Sequence, residues 1–293
     1  MTATIKLTKT VCLSAAMGLT AFYVLCFGLL REAYADEEID DGGVDVPIVM
    51  YHIVTDDEAL AGEYVVTAEQ LEKDIVFLLE QGFTPVFCSE LADFVNEGGE
   101  LPEKPVVITF DDGAYGCFYY ALPLLEKYKV KATFSIVGEW SMAAGEDAEP
   151  NVNYSTVDID NLKTMYLSGY CELANHTWDM HGLTSEGAER DGALQIDGES
   201  DAEYRRALWN NITQAQNFIE QAGQRPSVLA YPYGFASDYT QELVWQLGFE
   251  VTLGCEERIN RIAKGDYDCL YNMGRFNRAY GETSEEFFLS ILQ

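Results

Sequence analysis

The sequence predicts an α/β fold, a parallel barrel forming a single domain, and three observations carry that prediction. Strand-length apolar runs alternate with helix-length amphipathic stretches roughly seven or eight times, a rhythm that favours a barrel over an open sheet. One run, Val106–Phe110, ends in two adjacent carboxylates, Asp111 and Asp112, followed by Gly113. The carboxyl ends of barrel strands are where active sites lie. Neither a short repeat nor a change of composition marks a second domain within residues 46–293.

The elements follow in order. Val46–Val54 reads as a strand ending near Tyr51 and His52. Thr67 opens a helix with Gln70 three residues on, a capping-box form, and Gly82 closes it. A short strand (Thr84–Phe87) and a helix (Ser89–Val95) lead to the strand Pro105–Phe110, whose own helix carries Tyr119, Leu122 and Leu125 on one face and runs to about Tyr128. Lys131–Gly138 is a strand, 143–153 a polar loop, Asp158–Leu167 a helix and Glu172–Thr177 a strand. The acidic, glycine-containing stretch Gly182–Glu203 reads as a surface loop. A long helix (Ala202–Ala222), a strand (Val228–Tyr233), a helix (Thr240–Leu247), strands at Phe249–Cys255 and Cys269–Phe276, and a helix (Ser284–Leu292) complete the chain.

The first 35 residues are of another kind. Lys6 and Lys9 precede an apolar run from Val11 to Leu30, and Ala33-Tyr34-Ala35 has the small-x-small form of a cleavage site. The run is long for a signal peptide and sufficient to span a bilayer, so residues 1–35 are read as a signal peptide or an N-terminal membrane anchor. Either way the catalytic domain is expected outside the cell, secreted or anchored at its surface. Residues 36–45 are an acidic linker.

Charge excludes whole classes of partner. The net charge is −31, and without residues 1–35 it is −33, from 15 basic and 48 acidic residues. Nucleic acid and anionic lipid are repelled by such a surface, whereas neutral or cationic partners are not. Solvation alone accounts for the charge equally well. Five of the seven cysteines lie beyond the apolar run, and they are unclustered and odd in number. They form no zinc, redox or disulfide framework, and most read as small buried hydrophobes.

The chemistry concentrates in ELANHTWDMHG, Glu172–Gly182. His176 and His181 are five apart, a spacing that no single helical face gathers, so a turn must bring them together. With Asp112 they form a set of two imidazoles and one carboxylate, suited to a catalytic divalent ion such as Zn2+ with an open position. Asp111, beside that ligand, is placed to act as general base. Set against this, an Asp-Asp-Gly after a strand also serves as a helix cap and turn.

TFDDG, then His-Thr-x-x-x-His over residues 176–181, then Tyr231-Pro232-Tyr233-Gly234, together resemble the polysaccharide deacetylases, carbohydrate esterase family four. The resemblance runs from about Val46 to the C-terminus. It implies a distorted (β/α)7 barrel and metal-dependent removal of N-acetyl groups from N-acetylglucosamine polymers such as chitin, peptidoglycan or poly-N-acetylglucosamine, with O-acetyl groups of xylan the target in some members. It assigns Asp111 as base, Asp112, His176 and His181 as metal ligands, Thr177 as the residue that steadies the loop, and Tyr233 as the donor of a backbone N–H to the oxyanion.

The departures are informative. The histidine spacing of five, and Tyr51-His52 at the end of the first strand, are similar to the poly-N-acetylglucosamine branch. Ala230 stands where many members carry an arginine that orients the base, and Met273-Gly274-Arg275 replaces the late Leu-x-His that supplies the general acid. Arg275 is the expected substitute for the arginine, with Arg278 facing elsewhere. His52 is expected to donate the proton or to hold the acetyl pocket, the plainer role being a packed, hydrogen-bonded histidine at the barrel mouth. Tyr115, Trp178, Tyr231 and Tyr233 are candidate sugar platforms, Trp178 foremost. Asn211-Ile212-Thr213 matches a glycosylation sequon but lies in a helical pattern. An O-acetyl esterase and a cell-surface carbohydrate-binding protein without catalysis stand as alternatives, and the oligomeric state is open.

Overall fold

The computed structural model describes residues 42–292 apart from 97 and 146–148. The expected signal or anchor at 1–35, and linker residues 36–41, lie outside the described residues. Among the described residues no helix is long and apolar enough to cross a membrane.

The elements in order are β1 (Val44–Val46), β2 (Ile48–Tyr51), β3 (Ile53–Thr55), β4 (Val65–Thr67), α1 (Ala68–Glu80), β5 (Thr84–Val86), α2 (Cys88–Val95), β6 (Pro105–Phe110), α3 (Leu122–Tyr128), β7 (Ala132–Ile136), α4 (Gly138–Ala144), α5 (Ile159–Leu167), β8 (Cys171–Asn175), α6 (Asp201–Ile219), β9 (Val228–Ala230), α7 (Asp238–Gln246), β10 (Val251–Leu253), β11 (Asn260–Ile262), β12 (Phe276–Asn277) and α8 (Ser284–Ile291).

A parallel sheet runs in the order β10-β9-β8-β7-β6-β2-β12, and β5 adds to the first half of β6. The two ends of that row are joined by the stretch 273–277. Met273 bridges Leu253 of β10, and Phe276–Asn277 pair with Val49–Met50 of β2. The result is the parallel barrel that the sequence pattern predicts, in the distorted seven-strand form that the resemblance implies. All six residues of β6 are buried, which is why that strand is an unbroken apolar run rather than an alternating one.

Side chains of alternate parity along β6 enter different cores. Val106, Ile108 and Phe110 pack under the helices with Phe134, Leu71, Leu125 and Leu162, while Val107 joins Ile48, Ala174, Ala230 and Leu253 in a second cluster. The rings of Phe110 and Phe134 stack at 4.7 Å. Each fully buried side chain of this size contributes about 1.5–3 kcal/mol relative to exposure. Helix starts follow the chemistry of the sequence: the Thr67 hydroxyl accepts from the Gln70 N–H at 3.1 Å, and Ser200 caps α6 with Glu203 returning the bond.

Several expectations need correcting. The strand at Val46–Val54 breaks at His52, because β2 pairs within the barrel while β3 leaves it to pair with β4. Val44 and Asp45 are not linker but half of an antiparallel pair with β11, a strand the sequence reading missed. Cys269–Phe276 is not one strand: Tyr267–Leu270 form a 3-10 turn, and Asn272 takes a positive φ of 51° before the chain reaches Met273. Residues 138–144 are helical where the end of a strand and the start of a loop were expected. The stretch 182–203 is not wholly superficial, since Ala193 and Arg190 are buried and Arg190 pairs with Glu199 at 3.2 Å.

Candidate active site

Four parallel strands bring the site together, because their carboxyl ends open on one mouth. His52 follows β2, Asp111 and Asp112 follow β6, His176 follows β8, and Tyr233 lies three residues beyond β9. The backbone turns sharply after three of the four strands. Asp112, Thr177 and Tyr233 have φ of 72°, 69° and 58°, three of the five non-glycine residues with positive φ among the described residues. Such strain is stored where the surrounding structure over-determines the backbone, commonly at functional sites.

Asp112, His176 and His181 meet there. Asp112 Oδ1 lies 3.0 Å from His181 Nε2 and 3.4 Å from His176 Nε2, and the ligand atoms of the trio fall within 4.8 Å of one another. His176 Nδ1 donates to the Ala230 carbonyl at 2.8 Å. A carbonyl oxygen only accepts, so this bond fixes the tautomer and leaves Nε2 of a neutral ring with a lone pair facing the carboxylate oxygen. Asp112 Oδ1 itself has no hydrogen-bond partner among the described residues although it is buried. Lone pairs converging on an unsatisfied carboxylate need a proton or a cation between them, and the donor set of two nitrogens and one oxygen fits a divalent ion.

The charges agree. Burial alone would raise the Asp112 carboxyl, but the two imidazoles hold it well below the carboxylate range. Burial would lower His176, but Asp111 and Asp112 raise it instead.

Asp111 is held differently. Arg275 Nη1 and Nη2 donate to its two oxygens at 2.9 and 2.8 Å, and both side chains are buried. Burial pushes the Asp111 carboxyl up, yet the guanidinium, helped by His176, brings it down to about 2. Arg275 thus occupies the place of the arginine absent at Ala230, as the sequence suggested. Arg278 faces away and pairs with buried Asp74 at 2.9 and 3.1 Å, and Asp74 also accepts from Tyr51 Oη at 2.9 Å.

A cleft of about 520 Å³ exposes these groups, with His52, Asp111, Asp112, His176, His181 and Tyr233 in its lining. His52 Nδ1 is buried with no hydrogen-bond partner among the described residues, and its ring meets Tyr64 edge-on at 4.9 Å. The structural hydrogen bond of the plainer reading is therefore absent at that atom. Burial lowers the His52 pKa, against the pull of Asp111 and Asp112. A wider depression of about 680 Å³ beside Trp245 and Tyr267 has no histidine in its lining, so chemistry rather than volume marks the site.

The aromatic expectations divide. Trp178 is not at the cleft: its indole is buried against Phe218 and Gly138, where a Cβ would sit 2.6 Å from the ring. Tyr231 is also core, and Tyr115 packs on Phe118. Tyr233 is at the cleft, its ring 4.8 Å from that of His181. Trp140, which the sequence reading passed over, packs on His181 at 4.9 Å and is 36% exposed. It was missed because α4 was. The Thr177 hydroxyl has no partner among the described residues, so it does not steady the loop through a bond of its own. Of the five cysteines, Cys88, Cys117 and Cys171 are buried, Cys269 is partly exposed and Cys255 lies open at the cleft; all five are free.

The sequence profile of the polysaccharide deacetylase family matches residues 98–252. A poly-beta-1,6-N-acetyl-D-glucosamine N-deacetylase of Escherichia coli K12 is 24% identical over 237 residues, covering 74% of this chain and 35% of that one. Its counterpart in Staphylococcus aureus MRSA252 is 25% identical over 206 residues, covering 70% and 66%. The chain thus spans about a third of the first relative and about two thirds of the second. Among solved structures, a de-N-acetylase from Aggregatibacter actinomycetemcomitans superposes with a TM-score of 0.65 at 26% identity, covering 80% of this chain and 94% of that one. The deacetylase PplD of Streptococcus pyogenes gives 0.66 at 17%, covering 85% and 99%, a likeness of fold.

Proposed function

The chain belongs to the polysaccharide deacetylase family, and from that premise we propose that it is an exported, metal-dependent hydrolase removing N-acetyl groups from a poly-N-acetylglucosamine-like polysaccharide. One observation carries the reading: Asp112 Oδ1 lies 3.0 and 3.4 Å from the Nε2 atoms of two histidines, beside a second aspartate clamped by Arg275. The kinship with proteins named for poly-beta-1,6-N-acetyl-D-glucosamine supports the substrate class. The apolar run at residues 11–30 supports export.

Asp112, His176 and His181 would hold the ion, with Zn2+ the best match to the donor set. A divalent ion bound there would acidify water to a pKa of about 7 and polarise the acetyl carbonyl. Asp111 accepts the proton of the attacking water. Arg275 keeps that carboxylate ionised and aimed, at a cost in basicity, since a group brought down to about 2 is a weak base on its own. The Tyr233 backbone N–H, presented by a left-handed turn, faces the charge that develops on the carbonyl oxygen. His52 delivers a proton to the leaving nitrogen. Its lowered pKa makes the protonated ring a stronger acid, and it must collect that proton during turnover. Carbon–nitrogen cleavage then yields acetate and a free amine.

Acetate release from N-acetylglucosamine oligomers, with and without chelator, tests the proposal. Release that ignores the chelator overturns the metal. Release only from O-acetylated xylan makes the protein an esterase, and release from neither substrate leaves a binding protein.

A further inference from the structure

We infer that Asn211 is a positioning residue for the loop between the two histidines: its carboxamide holds Trp178 and Asp179 so that His181 comes back to face His176. The inference rests on the reading of Asp112, His176 and His181 as metal ligands.

His176 is fixed by the barrel, because it directly follows β8. His181 is not: residues 176–183 form neither helix nor strand, so its place must be imposed from outside. Every backbone polar group of Thr177 and Trp178 is engaged. The Thr177 N–H donates to Asn175 Oδ1 at 2.8 Å. The carbonyls of Thr177 and Trp178 accept from the Gly138 and Glu139 N–H groups at the start of α4, both at 3.0 Å. The remaining Trp178 N–H donates to Asn211 Oδ1 at 2.7 Å.

Asn211 then reaches one residue further, its Nδ2 donating to Asp179 Oδ1. It hydrogen-bonds this loop to α6 across 32 residues of sequence, beside the packing of Trp178 on Phe218 of the same helix. The strand end is tied to the same helix by Asn175 Nδ2, which donates to the Ile212 carbonyl at 3.1 Å. Both histidines are thereby referred to one rigid element.

Only a carboxamide serves at this position. One atom must accept from Trp178 and another must donate to a carboxylate, and aspartate would set two negative groups face to face. This also disposes of the glycosylation motif at Asn211-Ile212-Thr213. The side chain is 8% exposed with both polar atoms committed, so it is no acceptor for a glycan.

The test measures zinc affinity on the full chain by competition with a chromogenic chelator, and thermal unfolding of the chelator-stripped protein in parallel. Asn211→Asp is expected to weaken zinc binding about 10–100-fold while the stripped protein still unfolds cooperatively. Adding Asp179→Asn restores a donor facing an acceptor and is expected to recover affinity to within about threefold of the parent, because contacting sites couple. Should Asn211→Asp not fold, exposed Asp179→Ala removes the same bond from the loop side and is expected to weaken zinc about tenfold. Parental affinity in the variant that folds, or a double variant no tighter than Asn211→Asp, overturns the inference. A parent protein that takes up no zinc overturns the metal assignment itself, and this inference with it.

Discussion

Arg275 meets Asp111 end-on: two guanidinium nitrogens donate to two carboxylate oxygens at 2.9 and 2.8 Å, with 0% and 3% of the side chains exposed. Arg275 Nε also donates to the Gly254 carbonyl at 2.8 Å, so the guanidinium is fixed at its other edge. A bidentate, buried pair of this kind sets direction as well as charge.

Truncating the arginine is therefore expected to do more than lose an attraction. Arg275→Ala leaves Asp111 charged and unpartnered in the interior, and a loss of about 3–5 kcal/mol is expected in urea unfolding. Arg275→Lys keeps a charge but loses the fork, and is expected to fall between the two. A loss below about 1 kcal/mol for Arg275→Ala would show that the pair does not matter to the fold.

The same pair sets an acid limit. The folded-state pKa of Asp111, about 2, is below that of an unfolded aspartate. Its contribution is complete above the unfolded value of about 4 and is lost as pH falls from there through about 2. Urea midpoints of chelator-stripped protein are expected to fall across that window, and to fall less steeply in Arg275→Ala. Parallel curves for the two proteins contradict the assignment.

His52→Ala is expected to lower kcat about 100-fold or more with zinc content unchanged, the usual range for a lost proton donor. Metal analysis and acetate release on the same preparation separate this from loss of the ion. Unchanged turnover returns His52 to a packing role.

Asp112→Asn and His181→Ala are each expected to remove most of the bound zinc and the acetate release with it. Full zinc occupancy in both, measured by elemental analysis, places the ion elsewhere.

The two tryptophans near the histidines should separate cleanly. Trp178→Ala removes a buried indole and is expected to cost about 3–5 kcal/mol in unfolding. Trp140→Ala, partly exposed over His181, is expected to change stability little and to raise KM for the glycan oligomer. The reverse pattern would exchange their roles.

The legible and the illegible parts of this chain differ in physical origin. The barrel strands could be read because burial on both faces makes Val106–Phe110 and Ala132–Ile136 continuous apolar runs. The meeting of Asp111, Asp112, His176 and His181 at one mouth could be read because each closely follows the carboxyl end of a barrel strand. What escaped was set by distant partners. β11 owes its existence to β1, more than 200 residues earlier, and two or three residues carry too little pattern to announce a strand. Trp178 looked like a site residue from its place between two histidines, but its direction was decided by Gly138 and Phe218. Asn211 was visible only as a sequon, because a carboxamide's partners cannot be inferred from its neighbours in sequence.

The stretch from Met273 to Asn277 stitches β10 to β2 and carries Arg275 between them. The proposed base therefore acquires its counter-charge only once the ring has closed. Until then Asp111 is an ordinary surface acid, unaimed and freely hydrated. Chemical competence and completion of the fold are one event in this protein, so a partly assembled chain carries all the reactive residues and none of the reactivity.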